Sequence, residues 1–232
     1  MASSEQTAPP PPQRRWAMAL GLAIALIAPF AAQLLPPPAD FAVRALRGTV
    51  ISAAITIVVL FIVVALERQP LSSIGFKRLG WGALGFGLLG LVACFLSNPL
   101  SGLILHLAGG KEPASQIRQL GGLPVWILVL LPFRAAITEE ILFRGYAMTR
   151  MQALSGSRFL GFLVPTAVFC FAHAPYFGLA YALAVGPLAV VLGLLFLWRK
   201  NLWANMIAHA GVDAVGLTLT WAVANGLIDL PK

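Results

Sequence analysis

Seven ionisable side chains lie within or beside long apolar stretches in the second half of the chain. They are Arg134, Glu139, Glu140, Arg144, His173, His209 and Asp213. An ionisable group at membrane depth costs about 2.5 kcal/mol or more, so such residues indicate function by default. Each one alone has a structural explanation, such as an ion pair or an arginine that reaches the membrane surface. Their concentration in one part of the chain favours a reactive site.

The spacing of the first group assigns its two glutamates to different roles. Glu140 and Arg144 are four residues apart, so on a helix they can pair across one turn. The adjacent Glu139 points about 100° away from that pair and is left for another role. Further along, Phe169 precedes His173 by four residues, which predicts an aromatic ring on the same helix face as the imidazole.

A helical hairpin would bring a carboxylate and an imidazole to the same depth. If residues 123–153 and 158–175 form antiparallel helices, Glu139 and His173 are each about 17 residues from the turn near Gly156. A carboxylate that faces an imidazole in a low-dielectric site is suited to activating a water molecule by general-base catalysis. These residues therefore predict a hydrolytic pair.

A third polar group lies near the end of the chain. His209 is four residues from both Asn205 and Asp213, which predicts a polar stripe on an otherwise apolar helix. In a hydrolytic site, an imidazole and a neighbouring amide are able to stabilise the oxyanion that develops when water attacks a carbonyl.

The composition indicates which elements position these residues. Of the 232 residues, 59% are hydrophobic and only 10% are charged, whereas soluble domains carry about 25% charged residues. Seven apolar runs approach the ~20 residues that span a bilayer. The runs are 16–35, 49–66, 80–109, 122–138, 159–174, 177–198 and 202–223. They predict an all-α, polytopic membrane bundle of seven transmembrane helices, or eight if the third run breaks at Asn98-Pro99.

The remaining charges fit this interpretation. The net charge of +8 comes from Lys and Arg at the ends of the apolar runs, a pattern typical of membrane topology and not of a nucleic-acid surface. We therefore expect no nucleic-acid partner. The other acidic residues lie in tails or loops, where we expect water to solvate them. They are Glu5, Asp40, Glu67, Glu112 and Asp229.

Three motifs in order resemble those of the CAAX protease and bacteriocin-processing family, which are relatives of the type II CAAX prenyl endopeptidases. The motifs stand here as Glu139-Glu140-x-x-x-Arg144, Phe169-x-x-x-His173 and His209-x-x-x-Asp213. Each motif alone is weak, but three in sequence within apolar helices are specific.

The resemblance implies an α-helical intramembrane endopeptidase that works without a metal. Glu139 and His173 would activate the water, His209 and the residue four later would form the oxyanion site, and Arg144 would hold Glu140. Composition and the apolar runs predict a disordered Pro-rich tail at 1–13 and two N-terminal transmembrane helices within 14–68, and together with the resemblance they assign 69–225 to the protease core. The substrate would be a peptide or a membrane-tethered protein, in a bacterial cytoplasmic membrane.

The third motif departs from the prenyl proteases, which have asparagine where this chain has Asp213. An amide donates a hydrogen bond to an oxyanion, whereas an ionised carboxylate only accepts. Asp213 is therefore protonated, or orients His209, or leaves the donor role to Asn205.

Three alternatives remain open from the residues alone. The Glu, His and Asp side chains also suit zinc, although the sequence lacks the His-Glu-x-x-His helix motif. The chain could instead be a non-catalytic immunity or scaffold protein of the same family. A transporter with a proton relay is the third possibility, but we find neither the inverted repeats nor the paired broken helices typical of that class. The sequence does not indicate the oligomeric state or the side of the membrane to which the site opens.

Overall fold

Helices form almost all of the chain that the computed structural model describes, which is residues 12–31, 33, 35–110 and 119–228; no strand occurs in these residues. The α-helices are α1 (Pro12–Ala31), α2 (Phe41–Phe61), α3 (Trp81–Leu107), α4 (Val125–Glu139), α5 (Thr149–Ser155), α6 (Arg158–Phe171), α7 (Ala174–Phe177), α8 (Leu179–Ala184), α9 (Gly186–Arg199) and α10 (Leu202–Ala224). Two π-helical segments continue them: Ile62–Leu66 extends α2, and Glu140–Met148 joins α4 to α5. A 3-10 turn occupies Leu71–Ile74.

Five helical stretches of the described residues are long and apolar enough to cross a membrane. They are Phe41–Leu66, Trp81–Leu107, Arg158–Phe177, Leu179–Arg199 and Leu202–Ala224. The predicted all-α membrane bundle is confirmed, but a count of seven or eight spans is not. Residues 1–11 of the predicted Pro-rich tail lie outside the described residues, and α1 begins at Pro12.

The predicted break at Asn98-Pro99 is wrong. Helix α3 continues through Pro99 to Leu107, so the third apolar run forms one helix and does not fold back. A proline inside a helix removes one backbone hydrogen bond and crowds the preceding turn. In lipid no solvent competes for the remaining backbone groups, so a membrane helix tolerates that loss.

The predicted hairpin is confirmed, and its turn has a clear physical cause. Gly156 has a φ of 70°, a left-handed conformation that ends α5 and that glycine adopts without steric cost. Ser157 then caps α6 by accepting a hydrogen bond from the backbone N–H of Leu160 at 3.2 Å. By contrast, the run 177–198 is interrupted at Gly178 and Val185, and so gives α8 and α9 in place of one straight helix.

Close helix packing holds the last helices against α3. Gly87 of α3 meets α10 so closely that a Cβ at this position would lie 2.7 Å from the side chain of Ile207. Such small residues let membrane helices approach and gain van der Waals contact. On the other side of the bundle, α1 and the end of α2 pack against the π-helical segment Glu140–Met148. This segment therefore lies between the N-terminal helices and the C-terminal ones.

Glu67 lies at the end of α2, and the expectation that water solvates it is wrong. The π-helical turn carries its carboxylate inward, where it is fully buried. Its Oε1 accepts a 2.6 Å hydrogen bond from the Tyr146 hydroxyl, and its Oε2 accepts one of 2.8 Å from Nε of Arg150. Arg150 also donates to Ser73 Oγ at 2.8 Å. These bonds tie the end of α2 to the helix that carries the two glutamates.

Candidate active site

The two adjacent glutamates lie at the junction between α4 and the π-helical segment Glu140–Met148. Glu139 is the last residue of α4, and its side chain is 21% exposed. Glu140 begins the π-helical segment and is fully buried. A π-helical turn changes the direction in which successive side chains project, and such turns occur frequently at functional sites. The two carboxylates consequently occupy different environments, as their spacing predicts.

Glu140 is the centre of a buried hydrogen-bond network. Its Oε1 accepts from Arg144 Nη1 at 3.0 Å, which is the pair predicted from the four-residue spacing. The same oxygen lies 2.8 Å from Nδ1 of His209, and Oε2 accepts from the Asn205 amide at 3.0 Å. A buried carboxylate is stable only when it is paired and fully hydrogen-bonded, and these three partners meet that requirement.

His209 lies between two carboxylates. Its Nδ1 faces Glu140, and its Nε2 lies 3.4 Å from Oδ2 of Asp213. Because a carboxylate only accepts, each nitrogen facing one carries a proton unless that carboxyl group is itself protonated. Asp213 thus lies beside His209, a position compatible with the orienting role that is one of the three considered from the sequence.

The Asn205 amide is equally occupied. Its Nδ2 donates to Glu140 and, at 2.7 Å, to the Leu192 carbonyl. The side chain is fully buried, and both amide hydrogens have acceptors. Both hydrogens of the Asn205 amide are therefore engaged inside the protein, whereas His209 Nε2, at 3.4 Å from Asp213, lies beyond ordinary hydrogen-bond length.

Glu139 and His173 line a different space, a cavity of about 300 Å³ with largely apolar walls. The charged side chains that line it, among the described residues, are Arg44, Arg47, Arg134 and Glu139. Phe169 also lines this cavity and contributes to its apolar wall. The cavity therefore combines an apolar binding space with the predicted hydrolytic pair.

The two members of that pair are each oriented by a neighbour. Arg134 Nη1 donates to Glu139 Oε1 at 3.3 Å. His173 Nδ1 lies 2.9 Å from the Phe169 carbonyl oxygen, which can only accept, so Nδ1 carries the proton. In the neutral imidazole, Nε2 is then an acceptor.

Phe169 connects the cavity to the buried network. Its ring contacts His173 edge-on with centroids 5.0 Å apart, and it approaches His209 at 6.2 Å. The guanidinium of Arg144 stacks 4.0 Å from the same ring centroid. This cation–π contact and the aromatic pairs fix the ring, because each favours a defined geometry.

The predicted site residues thus form two neighbouring groups. Glu139, His173 and Phe169 line the cavity. The other group does not line the cavity. It consists of the buried residues Glu140, Arg144, Asn205 and His209, with the partly exposed Asp213 beside His209. In the described part of the chain, no cluster of three or more His, Cys, Asp or Glu side chains is arranged to hold a metal ion.

Sequence reasoning missed the contribution of the N-terminal helices. Gln33, Arg44 and Arg47 line the cavity, although they precede the predicted core at 69–225. Arg44 and Arg47 lie in α2, where they donate to the carbonyl oxygens of Pro38 and Pro36. The signal in the sequence was a pair of arginines directly before an apolar run.

Comparison with known proteins finds a family match in the second half of the chain. Residues 121–215 match the family described as type II CAAX prenyl endopeptidase Rce1-like. The matched segment contains all three motifs, so the resemblance to CAAX proteases is confirmed over these residues, and the match together with the five long apolar helices supports an integral membrane protein. Neither a curated protein nor a solved structure matches the chain.

Proposed function

We propose that this protein is an intramembrane endopeptidase that hydrolyses a peptide bond with a water molecule activated by Glu139 and His173. The observation that carries the proposal is that these two side chains line one cavity. Glu139 is partly exposed there, and His173 offers an acceptor nitrogen because Nδ1 is engaged by Phe169. A base and a second polar group beside an apolar binding space are the requirements for attack on an amide.

The reaction follows from the chemistry of the pair. Glu139 accepts a proton from the water as the water oxygen attacks the carbonyl carbon of the substrate, while His173 Nε2 holds the water by accepting its other hydrogen. The tetrahedral intermediate then collapses, and protonated Glu139 gives its proton to the departing amine. Peptide and water are converted to a carboxylic acid and an amine, without a covalent enzyme intermediate. The acid then transfers its proton to the amine, which gives a carboxylate and an ammonium group.

Glu140 and its partners act as support in this scheme. Both oxygens of Glu140 accept hydrogen bonds from Arg144, Asn205 or His209. A buried carboxylate so engaged fixes the helix junction from which Glu139 projects. It does not line the cavity and is not assigned the role of base.

We further propose that no metal takes part. The support is that the arginine donor Arg144 already neutralises Glu140, and that Arg134 neutralises Glu139. A cation would have to displace these partners. Stoichiometric zinc in the purified protein, with activity lost on chelation and restored by zinc, would contradict this part of the proposal.

The substrate class that fits the cavity is a peptide or a membrane-tethered protein segment. The matched family is described by its prenyl endopeptidase activity, and the largely apolar walls suit a hydrophobic side chain or an isoprenoid chain. We propose a bacterial cytoplasmic membrane as the setting.

The function is tested in cells of the source organism in which Glu139→Gln is introduced at the native locus. The same experiment identifies the substrate. Comparison of their membrane proteins and released peptides with those of unmodified cells should reveal one or a few precursors that accumulate uncleaved. A matched strain with Arg78→Gln, an exposed position, should process them normally. If the Glu139→Gln strain keeps every biological effect and accumulates no precursor, the chain is a scaffold or immunity protein.

A further inference from the structure

The cavity carries an excess of positive charge that the proposed hydrolysis does not use. Three arginines and one glutamate line it among the described residues, and Arg134 is paired with Glu139 at 3.3 Å. Arg44 and Arg47 form no ion pair with any carboxylate in the described part of the chain. The nearby carboxylate of Asp40 is engaged as the N-cap of α2. Two positive charges at the cavity therefore lack a counterion among the described residues.

The first turns of α2 place these two arginines. Arg44 and Arg47 are three residues apart, so they share one face of the helix, and they lie near the start of the membrane-spanning stretch Phe41–Leu66. Each donates to a backbone carbonyl of the segment before the helix, Arg44 to Pro38 at 3.0 Å and Arg47 to Pro36 at 2.6 Å. Because a guanidinium has five N–H groups, these bonds hold the side chains and leave further donors for a ligand.

Three buried polar atoms of the cavity lining have no hydrogen-bond partner among the described residues. Nε of Arg44 and Nε of Arg134 are donors, and Oε1 of Gln33 is an acceptor. The amide nitrogen of Gln33 donates to the Ala172 carbonyl at 3.2 Å, which fixes that side chain. Leaving such atoms unpaired costs free energy that a complementary ligand would restore. Two cationic donors and one acceptor complement a peptide that presents a carboxylate and a backbone N–H group.

We propose that Arg44 and Arg47 bind a carboxylate of the substrate, an inference that rests on the proposed endopeptidase function. A guanidinium matches the planar geometry of a carboxylate and is able to bind both of its oxygens. The carboxylate belongs to the C terminus of the peptide or to an acidic side chain, and Gln33 Oε1 accepts from a neighbouring peptide N–H. The two arginines precede the segment 121–215 that matches the family, so the N-terminal helices supply this selection.

The selection arises from the cost of leaving charged groups unpaired. A substrate with a neutral group at this position would exclude water from the guanidinium of Arg44 and offer no counterion in return. A site built around polar groups rejects a ligand that lacks their partners more strongly than an apolar wall rejects a ligand of the wrong size. The apolar walls therefore hold the hydrophobic part of the substrate, and the arginines select its charge.

Matched peptides test this inference with the native protein in phosphatidylcholine liposomes. Each quenched-fluorescent reporter, a farnesylated CAAX peptide or an unmodified membrane peptide, is made with a free C terminus, with an amidated C terminus, and with its acidic side chains replaced by amides. Loss of the recognised carboxylate should raise KM by about 10–100-fold with little change in kcat, the effect of removing a charged hydrogen bond that serves binding alone. The version that shows this rise identifies which carboxylate is bound.

Variants of the protein assign the effect to the arginine. Arg44→Gln should raise KM for the charged reporter by a similar factor and leave KM for the neutral reporter unchanged, because the two changes remove the same contact. A purely structural role of Arg44 would alter both reporters equally. The exposed control Arg78→Gln should keep the native preference. If thermal unfolding shows that Arg44→Gln does not fold, the peptide comparison with the native protein decides.

The outcomes separate this inference from its premise. Equal KM values for all versions of the peptide would overturn the carboxylate site, and so would an Arg44→Gln variant that affects charged and neutral reporters alike. Fluorescence anisotropy measures peptide binding to Glu139→Gln without hydrolysis. A preference for the charged peptide there, with no Glu139-dependent cleavage by the native protein, would support the site and refute the proposed function. Cleavage without any preference would retain the function and overturn the site.

Discussion

The buried carboxylate of Glu67 provides a direct test of how the helix junction is held. Glu67→Gln keeps the shape of the side chain and an oxygen that accepts from Tyr146, but it removes the charge that neutralises Arg150. Arg150 is 5% exposed, so it would remain buried without a counterion. Breaking one partner of a buried ion pair costs about 3–5 kcal/mol.

The structure favours the lower end of that range. Arg150 keeps its bond to Ser73 and its position over the Tyr146 ring, with 5.4 Å between the guanidinium carbon and the ring centroid. At about 3 kcal/mol, and with ~2–4 °C for each kcal/mol at this chain length, the melting temperature should fall by roughly 6–12 °C.

A thiol-reactive fluorescent dye measures this shift in detergent, since Cys94 is fully buried and reacts only on unfolding. Cys170 is partly exposed and would be replaced by Ser in every variant compared. The exposed neighbour Arg68→Gln is the control and should melt as the native protein does. Replacing the whole pair, Glu67→Leu with Arg150→Met, should recover much of the loss. A Glu67→Gln variant that melts within 2 °C of the native protein would refute the reasoning.

Three further outcomes are expected from the same melting assay. Glu140→Gln should lower the melting temperature at least as much as Glu67→Gln does, because it leaves the paired arginine and histidine of the network buried without their carboxylate; an unchanged value would show that this network does not hold the fold. Gly145→Ala should destabilise the protein, because the new Cβ would lie 2.8 Å from the Ile74 carbonyl oxygen. Gly85→Ala is the matched control: its Cβ would have no atom within 4 Å, so the melting temperature should stay the same or rise. Equal effects of the two substitutions would contradict this expectation. Pro99→Ala should raise the melting temperature by restoring a helix hydrogen bond inside α3, and a decrease would indicate that the proline is required there.

The spacing of residues along the sequence predicted those parts of the site that lie within one helix or one helical hairpin. The pairing of Glu140 with Arg144 follows from their four-residue separation on one helix, and the hairpin follows from a glycine turn between two apolar runs. Helical periodicity and turn chemistry are properties of a short segment, so they can be read from it directly.

Features that depend on distant partners could not be predicted in this way. The burial of Glu67 depends on a π-helical turn and on residues about eighty positions later, which no local pattern indicates. The participation of Arg44 in the cavity depends on how α2 packs against α4. The break expected at Pro99 does not occur, because α3 is a membrane helix and tolerates the lost backbone hydrogen bond better than a helix in water.

The most direct test of the central claim is hydrolysis of a cleaved reporter peptide by purified Glu139→Gln in liposomes, compared with the native protein. Glutamine keeps the volume of the side chain and leaves an acceptor for Arg134, so the melting temperature should stay within about 2–4 °C of the native value, equivalent to ~1 kcal/mol. The expected result is a fall in kcat of about 10²–10⁴-fold, since the group that takes the proton from water is gone. A folded Glu139→Gln protein that cleaves the reporter at the native rate would contradict the account.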